Sequence, residues 1–188
     1  MPKIIKDVEK TIRNCAIKLF VEFSYVNVDM KMISKKSGVA VGTLYNYYKN
    51  KKQLYLSILK ESWGNTFNKL DSINTLDVSS EEKLRKFIKT LYEDIESRNG
   101  LGKALINTSA DELKNDKEIN DLKNRLILRI ENLFKCLNKV DTLNTCSKID
   151  TRLAESLLVS ILMMLEFHPN DKEDNINFLD KLINLSIK

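Results

Sequence analysis

The chain has 188 residues, 43% of them hydrophobic, which is enough for a sizeable core in one or two small domains. Five Gly and two Pro are too few for the many turns of an all-β or alternating α/β fold. No stretch approaches the roughly 20 apolar residues of a membrane span, and the three cysteines show no paired spacing, which is typical of a reducing compartment. We therefore expect an all-α cytoplasmic protein with no membrane, metal or cofactor.

The positive charge is concentrated in the first third of the chain. Residues 1–60 carry a net charge of +8, and the remainder carries −3. This asymmetry is typical of a segment that faces a polyanion such as DNA. A solvated lysine-rich surface would have the same composition, so the charge by itself leaves both interpretations open.

Four helices are predicted in the basic segment. Apolar residues three or four positions apart, the last being Phe23, predict the first of them. Asp29 is placed to cap the second, and Gly38 to end it. The predicted helices cover residues 6–23, 30–36, 41–47 and 52–63, and irregular apolar spacing over 64–78 predicts a continued helix followed by a loop.

The rest of the chain is also predicted to be helical. Ser79 and Glu82 form a capping box for the next helix, and a cluster of breakers at 97–102 ends it. Further helices are predicted over 103–113, 117–139, 153–167 and from about 176 to the C-terminus. The segment 153–167 is apolar on nearly every side, which indicates burial on two sides.

The spacing of four residues in the basic segment predicts a helix-turn-helix. Such a motif needs a small residue where its helices cross, a Gly four positions later for a turn with positive φ, and apolar residues that hold the second helix on the first. Ser34, Gly38, Val39 and Leu44 meet these requirements. The second helix, 41–47, would then lie in the major groove of DNA.

Residues that point outward from this second helix are candidates for DNA contact. Thr43 and Asn46 are predicted to contact bases, because Thr can bond several base edges and Asn can read adenine. Tyr45, Tyr47 and Lys51 are predicted to contact phosphates, together with the helix amides that begin at Lys51. The full predicted set is Val41, Gly42, Thr43, Tyr45, Asn46, Tyr47 and Lys51. The alternative is that the tyrosines are packing residues and the lysines only solubilise a loop.

Residues 33–54 read ISKKSGVAVGTLYNYYKNKKQL and resemble the signature of the TetR family of bacterial transcriptional regulators (TetR/AcrR type). The resemblance implies that Tyr48 packs inside and that Lys51 contacts phosphate. It also implies a homodimer of about nine helices per subunit, joined by the last two long helices of each. Residues 1–50 would form a three-helix DNA-binding domain, and 51–188 an effector-binding and dimerisation domain.

Three positions depart from the family pattern. Ser24 stands where a Gly often ends the first helix, Val28 replaces a frequent Thr, and Ala40 replaces the usual Ser that caps the recognition helix. Losing such a cap typically costs about 1 kcal/mol. We expect the motif to be retained, with altered local geometry at these three sites.

The resemblance further implies a repressor that a small-molecule effector releases from DNA. A two-fold dimer would bind double-stranded DNA at an inverted repeat, with half-sites roughly 34–36 Å or a multiple of that apart. Apolar candidate lining favours a drug-like or lipid-like effector. The candidate pocket residues are Trp63, Phe67, Phe87, Tyr92, Leu105, Ile127, Met163 and Met164. They could equally be ordinary core residues.

Two other functions are weighed against this one. A regulator of the same fold could respond to a protein partner instead of a small molecule. An all-helical enzyme is disfavoured, because the sequence has no glycine-rich phosphate loop, no nucleophile motif and no His or Cys cluster with metal spacing. The chain is thus predicted not to be an enzyme.

Overall fold

In the computed structural model, residues 7–98, 100–101 and 111–188 are described. Within these ranges the chain forms ten helices and no β-strand, which confirms the predicted all-α class. The helices are α1 Val8–Asn27, α2 Met30–Ser37, α3 Val41–Tyr47, α4 Lys51–Asn74, α5 Ser80–Ser97, α6 Asp111–Lys114, α7 Lys117–Lys135, α8 Asp141–Asn144, α9 Ile149–Phe167 and α10 Lys172–Asn184. Most of the helix predicted over 103–113 lies outside the described residues. None of the described helices combines the length and the apolar character that crossing a bilayer requires.

The chain divides into two compact units. The first contains the described residues of Met1–Trp63 and Arg98–Ile119, and the second contains Gly64–Ser97 and Asn120–Lys188. The segment after α5 is therefore grouped with the N-terminal helices, although it is distant from them in sequence. The functional division predicted at residue 50 remains a prediction.

The core of the first unit is formed where the apolar stripes of α1 to α4 meet. Ile12 and Ala16 of α1, Ile33 of α2, Leu44 of α3 and Leu54 of α4 are all fully buried. Burial of side chains of this size contributes about 1.5–3 kcal/mol each. Phe23, which the sequence pattern assigned to the same stripe, is instead 41% exposed.

The reason for the exposure of Phe23 is a break in α1 at the next residue. Ser24 has φ 62° and ψ 165°, which is non-helical and lies in a region that favours glycine. The regular helix therefore ends at Phe23, the last residue of the stripe, and the chain turns so that Tyr25 is buried instead. This is the position at which a Gly was expected from the resemblance.

The predicted caps of α2 and α5 are present. The Met32 amide donates to Asp29 Oδ1 at 2.8 Å, and the Glu82 amide donates to Ser79 Oγ at 3.1 Å. α4 runs from Lys51 to Asn74, so the helix predicted over 52–63 continues into the segment 64–78, where a continued helix followed by a loop was predicted. Gly64 does not interrupt it, because a glycine inside a helix costs only about 1 kcal/mol and packing in the second unit offsets that cost.

The second unit has a core of large apolar side chains from five helices. Phe67 of α4, Phe87 of α5, Ile130 of α7, Ile161 of α9 and Leu179 of α10 are at most 1% exposed. A different face of α9 and α10 is apolar but exposed. We call it the apolar stripe, and it consists of Val159, Met163 and Phe167 of α9 and Phe178, Leu182 and Leu185 around α10.

Candidate nucleic-acid interface

The turn between α2 and α3 is closed by a compact set of hydrogen bonds. Gly38 has φ 69°, and its amide donates to the Ser34 carbonyl at 2.9 Å. The Ser34 hydroxyl donates to the Val39 carbonyl at 2.6 Å, and the Val39 amide donates to Ser37 Oγ at 3.3 Å. The sequence-predicted roles of Ser34 and Gly38 therefore match a tight helix-turn-helix, in which positive φ is needed at the glycine.

α3 is anchored on one side and open on the other. Leu44 is fully buried and Tyr48, just after the helix, is 5% exposed, so Tyr48 packs inside as the resemblance implied. The opposite face leaves Gly42, Tyr45, Asn46 and Tyr47 exposed, with Val41 and Thr43 half-buried. α3 thus buries one apolar side chain, that of Leu44, against the protein and exposes a polar, aromatic face to solvent, as a recognition helix requires.

The start of α3 has no side-chain cap. Ala40 occupies the N-cap position, and no side-chain hydrogen bond is made from it to the helix amides. An unsatisfied N-terminus of this kind leaves amide donors free for solvent or for an anion. Because Ala40 stands where a Ser usually caps the recognition helix, α3 lacks the side-chain hydrogen bond at its N-terminus.

Tyr48 is tied to the first turn of α1 through its hydroxyl. That hydroxyl donates to Glu9 Oε1 at 2.9 Å, and burial raises the pKa of Tyr48 above its ordinary value. Close by, Arg13 donates to Ser57 Oγ at 3.2 Å and pairs with Glu61. α1, the end of α3 and α4 are thereby held together by polar bonds as well as by the apolar core.

Lys51 is already held by the protein. Its Nζ donates to the Tyr25 carbonyl at 2.9 Å and lies 4.2 Å from the centroid of the Tyr25 ring. A lysine ammonium has three donors, so two remain for a phosphate. Asn50 caps α4, the helix that begins at Lys51, because its Oδ1 accepts from the Gln53 amide at 2.8 Å.

The other lysines of the basic segment differ in availability. Lys52 Nζ lies 2.5 Å from Asp116 Oδ2, and Lys60 pairs with Glu118 at 3.0 Å. Burial acts to raise the pKa of Asp116, but hydrogen bonds from Lys52 and from two backbone amides outweigh it and lower that pKa below the ordinary value. Lys31 and Lys35 of α2, by contrast, are exposed. Both lie within the segment of net charge +8.

The predicted effector residues lie in different environments. Trp63, Phe67, Phe87 and Tyr92 are at most 1% exposed, whereas Met163 is 45% exposed and belongs to the apolar stripe. Ile127 and Met164 are half-buried, and Leu105 lies outside the described residues.

Two of the buried aromatics have polar or cationic neighbours. The Tyr92 hydroxyl accepts from Asn175 Nδ2 at 2.9 Å, and two guanidinium groups, those of Arg125 and Arg129, lie 4.9 and 4.4 Å from the Phe67 ring centroid. These contacts are compatible with structural roles. The assignment of the eight residues to a pocket remains a prediction.

Residues 12–58 match the family model described as bacterial regulatory proteins, tetR family. Over 91 residues the chain is 33% identical to the uncharacterized HTH-type transcriptional regulator YuxN of Bacillus subtilis, covering 48% of this chain and 31% of that protein. It is 32% identical over 73 residues to the fatty acid metabolism regulator protein of the same organism, covering 39% of this chain and 38% of that protein. The chain thus spans about a third of the length of these curated relatives.

The fold is shared over nearly the whole chain with a solved regulator. The crystal structure of the transcriptional regulator FadR from Bacillus subtilis in complex with stearoyl-CoA has a TM-score of 0.68 and 19% sequence identity. The superposition covers 91% of this chain and 97% of that one. At this level of identity the likeness is one of fold.

Proposed function

We propose that this chain, whose residues 12–58 match the family model of bacterial regulatory proteins, tetR family, is a sequence-specific DNA-binding transcriptional repressor. The observation that carries the proposal is the geometry of α2 and α3, a turn closed at Gly38 followed by a helix whose polar face is exposed while Leu44 is buried. A helix presented in this way can enter the major groove without unfolding any part of the core. The concentration of lysines on the same unit favours a polyanionic partner.

The division of labour on α3 follows from side-chain chemistry. Asn46 is exposed and can read adenine bidentately, while Thr43 can bond a base edge or contact a thymine methyl. Tyr45, Tyr47 and Lys51 are assigned to phosphates, which position the protein without reading sequence. Val41 and Gly42 are small, so part of the specificity would come from DNA shape and water-mediated contacts.

We propose that the chain forms a homodimer in which the apolar stripe is the interface. Phe167 is 64% exposed, Phe178 51% and Leu185 78%, and large exposed apolar surfaces often mark protein–protein interfaces. A two-fold dimer places two recognition helices on an inverted repeat. Phe178→Asp should convert the dimer to monomer in sedimentation analysis. Asn177→Asp, which adds the same charge at an exposed site on another face of the same helix, is the matched control and should remain dimeric.

For the effector we propose a long-chain fatty acyl thioester. The support is the fatty acid regulator among the relatives and the shared fold with a regulator bound to stearoyl-CoA, together with the apolar character of the predicted lining residues. Such a ligand releases DNA only to the extent that it prefers the conformation that does not bind DNA. A protein-partner regulator remains the second candidate, and the effector experiment separates the two.

The decisive experiment is binding of the purified chain to DNA from its own upstream region, titrated against salt and nonspecific competitor. We expect competitor-resistant binding of a dimer to an inverted repeat. Lys51→Ala should weaken binding to all sequences and lower the salt slope by about one per subunit, whereas Asn46→Ala should cost roughly 1–3 kcal/mol at particular base positions only. Equal loss on every sequence for Asn46→Ala would remove its assignment as a base reader.

The effector assignment is tested on the preformed DNA complex. Stearoyl-CoA should dissociate it, and neither free CoA nor stearate should do so at the same concentration. Failure of stearoyl-CoA with intact DNA binding would reject the effector class while leaving the DNA-binding function in place. Release by stearate as readily as by stearoyl-CoA would indicate a nonspecific amphiphile effect.

A further inference from the structure

Tyr25 connects the ammonium group of Lys51 to the interior of the first compact unit. Lys51 Nζ donates to the Tyr25 carbonyl at 2.9 Å and lies 4.2 Å from the centroid of the same residue's ring. One residue therefore offers the ammonium both a hydrogen-bond acceptor and a π face. Lys51 has lost much of the rotamer freedom that an exposed lysine would still possess.

The Tyr25 ring is itself fixed by its surroundings. It is 6% exposed, and its centroid lies 4.7 Å from that of Tyr55 and 5.9 Å from that of Phe20. The Tyr55 hydroxyl donates to the Leu101 carbonyl at 3.0 Å. The support under Lys51 thus includes a contact from the segment after α5, which belongs to the same compact unit.

The backbone at Tyr25 is set by the unusual conformation of its neighbour. Ser24, with φ 62° and ψ 165°, breaks α1 directly before Tyr25. Tyr25 lies in the last turn of α1, where carbonyls have no partner within the helix, so its carbonyl is free to accept from Lys51. Strained backbone of this kind persists only where the surrounding structure over-determines it.

We propose that Tyr25 is a positioning residue for DNA binding: its ring and carbonyl hold the Lys51 ammonium in the orientation in which it contacts a backbone phosphate. The inference rests on the proposed function. The carbonyl takes one of the three ammonium donors and leaves two for phosphate oxygens. Because the side chain is ordered before DNA arrives, less conformational entropy is lost on binding.

If Tyr25 instead kept Lys51 away from DNA, removing the Tyr25 ring would change the DNA affinity in the opposite direction. If Lys51 had to leave Tyr25 in order to reach a phosphate, the contacts at 2.9 and 4.2 Å would compete with DNA, and removing the ring would strengthen binding. The direction of the change in affinity therefore distinguishes positioning from sequestration.

The test measures binding of the full-length chain to a DNA duplex of arbitrary sequence, because phosphate contacts do not depend on sequence. Tyr25→Leu should weaken binding by about threefold to tenfold, the range expected when one long side chain must be ordered on binding. The salt slope should stay unchanged, since the charge of Lys51 is still present. Tyr25→Phe is the matched control, because it keeps both the ring and the backbone carbonyl that contact Lys51 and should leave the affinity unchanged.

A double-mutant cycle separates positioning from a general structural role. In the Lys51→Ala background, Tyr25→Leu should cause no further loss of DNA affinity, since the group it positions is absent. An equal loss in both backgrounds, unchanged affinity of Tyr25→Leu, or a gain in its affinity would each overturn the role of Tyr25 while leaving DNA binding by the unsubstituted chain intact. No binding of any duplex by the unsubstituted chain would overturn this inference and the proposed function together.

A measurement on the unsubstituted chain keeps the inference testable even if Tyr25→Leu fails to fold. The ε-methylene protons of Lys51 should show an upfield NMR shift from the Tyr25 ring, and that shift should persist in the DNA complex. Disappearance of the upfield shift when DNA binds would mean that Lys51 leaves Tyr25, and it would overturn the proposal.

Discussion

Replacing Ser24 by glycine should stabilise the protein, although it removes a side chain. Ser24 has φ 62° and ψ 165°, and a non-glycine residue in this region costs about 1–3 kcal/mol. Glycine adopts this conformation without strain. Its greater flexibility in the unfolded chain, however, reduces the gain in the free energy of unfolding by about 0.4–1 kcal/mol. The net expectation for Ser24→Gly is a gain of about 0.5–2 kcal/mol in the free energy of unfolding.

Urea denaturation followed by circular dichroism measures this gain, and thermal unfolding gives an independent value. A chain of this size should gain about 2–4 °C in Tm for each kcal/mol. Because Ser24 is exposed, loss of its hydroxyl by itself should matter little. Ser24→Ala is therefore the matched control, since alanine is as strained as serine in this conformation, and its stability should equal that of the unsubstituted chain.

The comparison of the two variants isolates the backbone conformation from the side chain. If Ser24→Gly were no more stable than Ser24→Ala, the conformational strain assigned to this residue would be wrong. If both variants were less stable by the same amount, the hydroxyl group would be the stabilising feature and the argument from φ would be refuted.

Three further predictions concern the first compact unit. Ala40→Ser should add about 0.5–2 kcal/mol to the unfolding free energy by supplying the missing cap of α3, and Ala40→Val, which cannot cap, should not. Gly38→Ala should lower the free energy of unfolding by about 1–2 kcal/mol, because φ at this position is 69°, although an added Cβ would meet no atom within 4 Å. Gly38→Asn should lower it by less. Equal losses for the two variants in denaturant titrations would show that the backbone conformation is not the cause. Asp116→Asn should lower stability at neutral pH by removing the pairing with Lys52. Because the folded-state pKa of Asp116 lies below its ordinary value, this contribution is fully present above an unfolded pKa of about 3.9 and is lost as the pH falls through the lower, folded value. The two unfolding free energies should therefore begin to converge below about pH 4 and coincide once the pH is below the folded value. A difference that persists at that lower pH would exclude the carboxylate charge as its cause.

Local sequence was sufficient where the determining interaction spans only a few residues. The bounds of α3, the Asp29 cap and the stop at Gly38 were all predicted, because each depends on a side chain or a φ angle within one helical turn. The burial of Leu44 followed from the same spacing, whereas the burial of Tyr48 was implied by the resemblance to the TetR family. The departures at Ser24 and Ala40 could also be located in advance, since both occupy positions where a particular residue type serves the backbone.

Tertiary structure decided what each lysine can do and where each apolar side chain lies. Lys51 is held by Tyr25 and Lys52 is paired with Asp116, and neither partner could be inferred from residues near position 51. The exposure of Phe23 depends on the break at Ser24, and that of Met163 on which face of α9 packs inward. Sequence periodicity reports that a residue is apolar and at what spacing, but burial and ion pairing depend on contacts between segments far apart in the chain, which no local pattern specifies.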